Sequence, residues 1–206
     1  CLPLQAGEEK SVAATKTFIA SVTAGLAMLA DWQGDQALAR AVADLPQALA
    51  KAVALDWSPL SARLVRAESV YVLGRGPGYA VACEAALKMK ETCSLHAEAH
   101  SAAEVLHGPA ALAQSRFPVL ALGVQDAALP QLLATAERLA AQGADVFVTG
   151  AEAKGAVTLP TVPDLHPLVS PLVLAASYYA FVEGLARRRG FDPDRPPHLR
   201  KVTETI

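Results

Sequence analysis

Ser69-Val70-Tyr71-Val72-Leu73 and Gly74-Arg75-Gly76-Pro77-Gly78, which follow each other without a break, decide the fold. The first run is rich in β-branched and aromatic residues and predicts a short buried strand. The alternating glycines predict a tight loop, and the residues after them, to about position 95, predict a helix. A strand, a glycine loop and a helix in this order are typical of an α/β fold with a parallel sheet.

Further strands and helices are predicted downstream of this unit. Strands are expected over 117–124 and 144–149, with a further short strand at 157–159, and helices are expected over 129–141 and 168–188. The order βαβαβ predicts a three-layer α/β sandwich, in which helices cover both faces of a parallel sheet. Ligands of such folds bind near the carboxyl ends of the strands.

The region before the first strand is predicted to be helical. Apolar residues recur at helical spacing from 11 to 32, and Ser11 is the expected N-cap. A second helix is expected from about Asp35 with a restart near Pro46, and a short helix is expected after Ser58. We interpret these helices as a connector that precedes the α/β unit.

The composition excludes several classes of protein. The 206 residues are 52% hydrophobic and 18% charged, with a formal net charge of −2, which disfavours nucleic acids and anionic membranes as partners. Charged residues interrupt the longest apolar stretches, so no membrane span and no secretory signal are predicted. Cys1, Cys83 and Cys93 have neither a disulfide nor a zinc spacing, and a cytoplasmic location is expected. The chain begins with Cys1 rather than methionine, which suggests a piece of a longer protein.

The glycine loop has two explanations that the sequence leaves open. Its backbone amides, at the start of a helix, can face an anion. Alternatively, packing alone can require the tight turn. The pattern Gly-x-Gly-x-Gly lacks the third glycine of the dinucleotide-binding motif, so a nucleotide is disfavoured.

The helix after the loop carries Glu84, Lys88 and Glu91 on one face. An exposed, salt-bridged face is the common explanation of this spacing. Functional residues become the better explanation because three histidines and two acids follow closely, between positions 95 and 109.

The histidines of that segment do not form a recognisable metal motif. His96 and His100 would share a face only on a helix, and residues 97–101 are predicted to be irregular, so both are expected to be satisfied structural residues. His107 precedes Gly108-Pro109, a turn that can present the imidazole at the edge of a loop.

A set of short runs, spread over nearly the whole chain, follows one pattern. The runs are Ala6-Gly7-Glu8, 11–18, Gly74-Arg75-Gly76, Ala85, Leu87-Lys88, Lys90-Glu91, His96-Ala97-Glu98-Ala99, Glu104, His107-Gly108-Pro109, Asp194-Arg195-Pro196 and 199–205. Together they resemble the sugar-isomerase (SIS) family, in particular the second SIS lobe of glucosamine-6-phosphate synthases and related deaminases. The resemblance implies a flavodoxin-like SIS fold. It divides the chain into the end of a first lobe with a helical connector (1–66), a second SIS domain (67–190) and an active-site tail (191–206).

The resemblance also implies roles for individual residues. Glu91 would move a proton between C1 and C2 of a hexose phosphate, His107 would assist ring opening across a homodimer interface, and Lys201 would lie near the sugar beside Lys88. Further substrate-binding positions would be Val12, Ala14, Gly74, Arg75 and Gly76. No metal or cofactor is implied. The residue types suit this chemistry, because a carboxylate can shuttle a carbon-bound proton and a lysine can stabilise an enediolate.

Some features depart from the family pattern. The phosphate-binding serine and threonine loops belong to the first lobe, so we expect weak sugar-phosphate binding by this chain alone. Ala14 stands where the synthases have a serine, which favours a deaminase or isomerase over an aminotransferase. Cys1 is not expected to be a glutaminase nucleophile, since residues 2–5 look like the last strand of the first lobe.

Three functions therefore remain open from the sequence. The first is an enzyme on amino- or keto-hexose 6-phosphates, with the isomerase part of an aminotransferase as a variant. The second is a non-catalytic sugar-phosphate regulator. The third is a dimerisation half without a ligand site.

Overall fold

Five parallel strands form the central sheet of the computed structural model, which describes residues 3–201. The strands are β1 (Ser69–Gly74), β2 (His96–Ser101), β3 (Pro118–Leu122), β4 (Asp145–Val148) and β5 (Val157–Thr158). Their order across the sheet is β2-β1-β3-β4-β5, and every neighbouring pair is parallel. The predicted α/β fold with a parallel sheet is confirmed.

Residues 3–201 contain seven α-helices, and those that pack on the two faces of the sheet complete three layers. The seven helices are α1 (Lys16–Gln33), α2 (Gln36–Ala43), α3 (Leu45–Ala52), α4 (Ser58–Leu64), α5 (Pro77–Cys93), α6 (Leu129–Ala141) and α7 (Ser170–Arg188). The side chains of successive residues in β1 point to opposite faces of the sheet. Val70 and Val72 pack with α4, α5 and α7, whereas Tyr71 and Leu73 pack with α6. The helices therefore bury both faces of the sheet, as a parallel sheet requires.

Strand β2 is a correction to the prediction of an irregular segment at 97–101. It pairs with β1 over its whole length, from Ser69 opposite His96 to Gly74 opposite Ser101. The strand lies at the edge of the sheet and its polar side chains are mostly exposed or half-buried. Polar residues are common on edge strands because they oppose aggregation, and they hid the strand signal here. The predicted order βαβαβ was therefore wrong by one strand.

The start of α1 is a second correction. The helix begins at Lys16 rather than near Ser11, and its N-cap residue Thr15 makes no side-chain capping bond. The Glu9 carboxylate caps the start of the helix instead, because it accepts hydrogen bonds from the Thr17 amide (3.1 Å) and from the Thr17 hydroxyl (2.7 Å). A carboxylate at this end also suits the helix dipole.

The other connector helices agree with the prediction. The Asp35 carboxylate caps α2 by accepting from two backbone amides, a new helix starts beside Pro46, and α4 follows Asp56 and Trp57. Helices α1, α2 and α3 share a hydrophobic cluster with the first half of α7. The connector is thus packed onto the α/β unit.

The two ends of the described chain are irregular. Residues 3–10 contain neither helix nor strand, so the strand predicted at 2–5 does not form in its described part. Residues 191–201 are also irregular, and Cys1 and the tail residues Thr203 and Thr205 lie outside the described residues. Within residues 3–201, no helix has the length and apolar character needed to cross a membrane.

Candidate active site

The centre of the site is a lysine held between two glutamates on one face of α5. The Lys88 ammonium lies 2.7 Å from Glu91 Oε2, one turn on, and 3.2 Å from Glu84 Oε1, one turn back. The three side chains are 5%, 21% and 11% exposed, in the order Lys88, Glu91, Glu84. The explanation of an exposed, solvated face is therefore wrong, because the ammonium at its centre is almost completely buried.

Two adjacent tyrosines of α7 donate hydrogen bonds to α5, one to a side chain of this face and one to the backbone. The Tyr179 hydroxyl donates to Glu84 Oε1 at 2.8 Å, and the Tyr178 hydroxyl donates to the Ala85 carbonyl at 2.6 Å. Burial, together with the Glu84 carboxylate, raises the pKa of Tyr179 far above its usual range. Tyr179 is thus a permanent hydrogen-bond donor to Glu84.

A cavity of about 210 Å³ opens beside the lysine. The cavity is lined by Lys88 and Thr92 of α5, Tyr179 and Glu183 of α7, and Asp194 of the tail. The segment 11–15 also contributes to the lining through Ser11, Ala13 and Thr15. Four separate parts of the chain therefore meet at one cavity.

Three more of the predicted site residues lie in this region. The Lys201 ammonium donates to the Ser11 carbonyl at 2.8 Å, which joins the tail to the segment that lines the cavity. Val12 and Ala14 are half-buried and alternate in sequence with the lining residues of that segment. The structure thus joins Lys201 to a segment that lines the same cavity as Lys88, although the two lysines come from distant parts of the chain.

The glycine loop lies at the opposite end of α5. At a rise of 1.5 Å per residue, about 20 Å of helix separate Gly76 from Glu91. One hexose phosphate does not span this distance. A side chain at Gly74 would meet the Gly78 carbonyl oxygen at 2.5 Å, so packing alone demands glycine there. The Arg75 guanidinium donates to the Ser101 hydroxyl at 3.1 Å. Gly74, Arg75 and Gly76 therefore do not share a site with Glu91 in this chain.

His107 is also separated from Glu91. It ends a short 3-10 helix (Glu104–His107) whose Val105 packs in the core on the α6 side of the sheet, whereas α5 lies on the other side. The imidazole is exposed, and within residues 3–201 no hydrogen bond or ion pair joins it to Lys88 or Glu91.

The other two histidines differ from each other. His96 Nδ1 shares a hydrogen bond with the Ser69 hydroxyl at 2.8 Å, as expected of a structural residue. His100 stacks edge-on against Tyr71, but its buried Nε2 has no hydrogen-bond partner and stands 3.5 Å from Glu98 Oε2. The expectation that His100 is satisfied was therefore wrong. Among the described residues, no cluster of three or more histidine, cysteine, aspartate or glutamate side chains is arranged to hold a metal ion.

The sequence did not reveal the contribution of α7 to the site. Tyr179 and Glu183 line the cavity without belonging to any motif, whereas Asp194, which also lines it, belongs to the tail run Asp194-Arg195-Pro196. The only local signal was the Tyr178-Tyr179 pair in an otherwise apolar helix, since a buried phenol needs a hydrogen-bond partner.

Comparison with known proteins identifies the family of the chain. A family model for the SIS domain matches residues 63–182. The chain belongs to the SIS-domain family. It is 33% identical over 216 residues to the glutamine–fructose-6-phosphate aminotransferase (isomerizing) of Caulobacter vibrioides, which covers 97% of this chain and 36% of that protein. The resemblance inferred from the sequence is therefore confirmed.

Solved structures extend the likeness to three dimensions. A crystal structure of a candidate phosphosugar isomerase from Silicibacter pomeroyi DSS-3 is 48% identical, with a TM-score of 0.88 over 93% of this chain. The C-terminal domain of the glucosamine-fructose-6-phosphate aminotransferase from Francisella tularensis is 27% identical, with a TM-score of 0.83. The SIS chain described here spans 58% of each of those chains, so each relative contains a further part.

Proposed function

We propose that the protein containing this chain interconverts the aldose and ketose forms of a hexose 6-phosphate or amino-hexose 6-phosphate, as an isomerase or deaminase. The observation that carries the proposal is the ion pair between Glu91 and buried Lys88, at 2.7 Å, in which Lys88 lines a cavity of about 210 Å³. Similarity to proteins named as phosphosugar isomerases and aminotransferases of fructose 6-phosphate supports this class of substrate.

In the proposed mechanism, Glu91 acts as the general base and acid. Its carboxylate removes the proton from one of the two carbons, C1 or C2, and returns it to the other, so that an enediolate lies between the two states. Lys88 and Lys201 supply positive charge for the developing oxygen anion. Proton transfer between a carboxylate and carbon requires neither a metal nor a redox cofactor, so the proposal includes none.

The remaining parts of the proposed enzyme lie outside the Lys88 cavity. His107 would reach the sugar of a second copy, because it sits on the other side of the sheet from Glu91 within one copy. The protein would then be a homodimer, located in the cytoplasm, and its phosphate-binding residues would come from a first lobe. The division into 1–66, 67–190 and 191–206 stays a prediction.

A second candidate is the isomerase portion of an aminotransferase. The 33% identity to the Caulobacter enzyme favours it. Two observations favour an isomerase or deaminase instead, namely the higher identity of 48% to the candidate phosphosugar isomerase and the alanine at position 14.

Product analysis with the full-length protein tests the proposal. Incubated with glucosamine 6-phosphate or glucose 6-phosphate, the protein should form fructose 6-phosphate, and ammonia should appear with the amino sugar if it is a deaminase. Glu91→Gln should abolish turnover, whereas Glu68→Gln, an exposed carboxylate just before β1, should retain it. Saturable binding of these sugars without turnover would contradict the proposal and favour a regulator.

A further inference from the structure

Tyr179 is the outermost member of a row of polar groups that leads to Glu91. Its hydroxyl lies 2.8 Å from Glu84 Oε1, the Lys88 ammonium lies 3.2 Å from the same oxygen, and Glu91 Oε2 lies 2.7 Å beyond the ammonium. The phenol and the ammonium thus share one carboxylate oxygen. The row crosses from α7 to α5, and two of its members, Tyr179 and Lys88, line the cavity.

Sharing an oxygen affects where the lysine charge lies. A hydrogen bond from Tyr179 satisfies part of the charge on Glu84 Oε1 and fixes the orientation of that carboxylate. In agreement with this, the Lys88 ammonium lies 2.7 Å from Glu91 Oε2 and 3.2 Å from Glu84 Oε1. Without the phenol, Glu84 would attract the ammonium more strongly, and Glu91 would lose its close partner and its fixed position.

We infer that Tyr179 is a positioning residue for Glu91, acting through Glu84 and Lys88. The inference rests on the proposed function, in which Glu91 is the base. A displaced carboxylate still permits substrate to bind but transfers the proton more slowly, since general-base catalysis depends on the distance to the reacting carbon. The loss should therefore fall on kcat and leave KM almost unchanged.

The neighbouring Tyr178 provides an internal comparison. Its hydroxyl donates to the backbone carbonyl of Ala85 rather than to a charged side chain, and the residue is fully buried. Removal of either hydroxyl costs one hydrogen bond between α5 and α7. Only the Tyr179 bond belongs to the row that ends at Glu91.

The test uses full-length protein and four variants: Tyr179→Phe, Tyr178→Phe, Glu84→Gln and the double variant of Tyr179 and Glu84. For aldose–ketose interconversion of fructose 6-phosphate, Tyr179→Phe should lower kcat about tenfold, the size expected for a hydrogen bond to a charged group. KM should stay within about twofold. Tyr178→Phe should keep kcat within about twofold although its urea midpoint falls, because its bond is structural.

The Glu84→Gln background shows whether Tyr179 acts through Glu84. In that background Tyr179→Phe should cost less than about twofold in kcat, because the charged member of the link is already gone. An equal tenfold loss in both backgrounds, or a loss confined to KM, would overturn the inference. If the wild type is active and Tyr179→Phe keeps the full kcat, only the role of Tyr179 is overturned. If the wild type turns over no phosphosugar, the proposed function itself is overturned.

Discussion

Replacing Lys88 by methionine removes a positive charge from the interior while keeping most of the apolar stem of the side chain. The lysine side chain is only 5% exposed and lies within 3.2 Å of both Glu84 and Glu91. The variant leaves two carboxylates, 11% and 21% exposed, without a positive partner. The expected result is a substantial loss of stability.

The size of the loss follows from the burial of the three groups. Removal of one partner from a fully buried ion pair costs about 3–5 kcal/mol. Glu84 keeps the hydrogen bond from Tyr179, and Glu91 has some access to water, so the lower end of about 3 kcal/mol is expected. In a protein of this size such a change lowers Tm by roughly 6–12 °C.

Urea unfolding near neutral pH, followed by circular dichroism, measures the effect. Lys90→Met is the matched control, because Lys90 is exposed on the same helix and its loss should cost no more than about 0.5 kcal/mol. The triple variant Glu84→Gln, Lys88→Met, Glu91→Gln should regain most of the stability, since it leaves no unpaired charge. Equal stability of Lys88→Met and Lys90→Met, or a triple variant less stable than Lys88→Met, would refute the reasoning.

Three further predictions concern stability and accessibility. Burial raises the pKa of Tyr178, so the phenol keeps its proton in the folded state, whereas in the unfolded chain it ionises near pH 10. The free energy of unfolding should therefore be unaffected by this group below about pH 10 and should fall by about 1.4 kcal/mol per pH unit above it. Urea titrations between about pH 9 and 11 should show a smaller loss for Tyr178→Phe than for the wild type. Gly78→Ala should destabilise the protein by about 1–3 kcal/mol, because the new carbon would lie 2.9 Å from the Leu122 carbonyl oxygen. Gly25→Ala, in open space on α1, should stabilise it by about 0.5–1 kcal/mol. Equal unfolding midpoints of the two variants would contradict this prediction. Exposed Cys83 should react with a thiol reagent in the folded protein. Cys93 is buried, which raises the pKa of its thiol, so it should react only after unfolding. Mass spectrometry after labelling distinguishes the two cysteines.

The elements that could be predicted from the sequence are those with a strong local pattern. Helix α6 has the predicted bounds 129–141, and β1 differs by one residue, because apolar periodicity and flanking loops mark both. Strand β2 was missed, since only Ala97 among its six residues is buried and its pairing with β1 leaves no trace in local sequence. The start of α1 was misplaced because its capping carboxylate, Glu9, lies eight residues before the amide it binds.

In the candidate site, too, local sequence patterns could be predicted and tertiary contacts could not. Spacing alone placed Lys88 and Glu91 on one face of a helix, but it could not show that the face is buried, because Tyr179, which bonds to it, comes from a distant part of the chain. The Tyr179–Glu84 hydrogen bond spans 95 positions in the sequence. Side chains that act together through tertiary packing in this way carry no motif.

Exchange of the C1 hydrogen of fructose 6-phosphate with deuterium from the solvent tests the central claim, that Glu91 moves a proton between C1 and C2. The exchange can be followed by proton NMR with full-length wild-type protein, Glu91→Gln and the control Glu68→Gln. The account predicts exchange by the wild type and Glu68→Gln, and a decrease of roughly 10²–10⁴-fold in Glu91→Gln. Exchange by Glu91→Gln at the wild-type rate would contradict it.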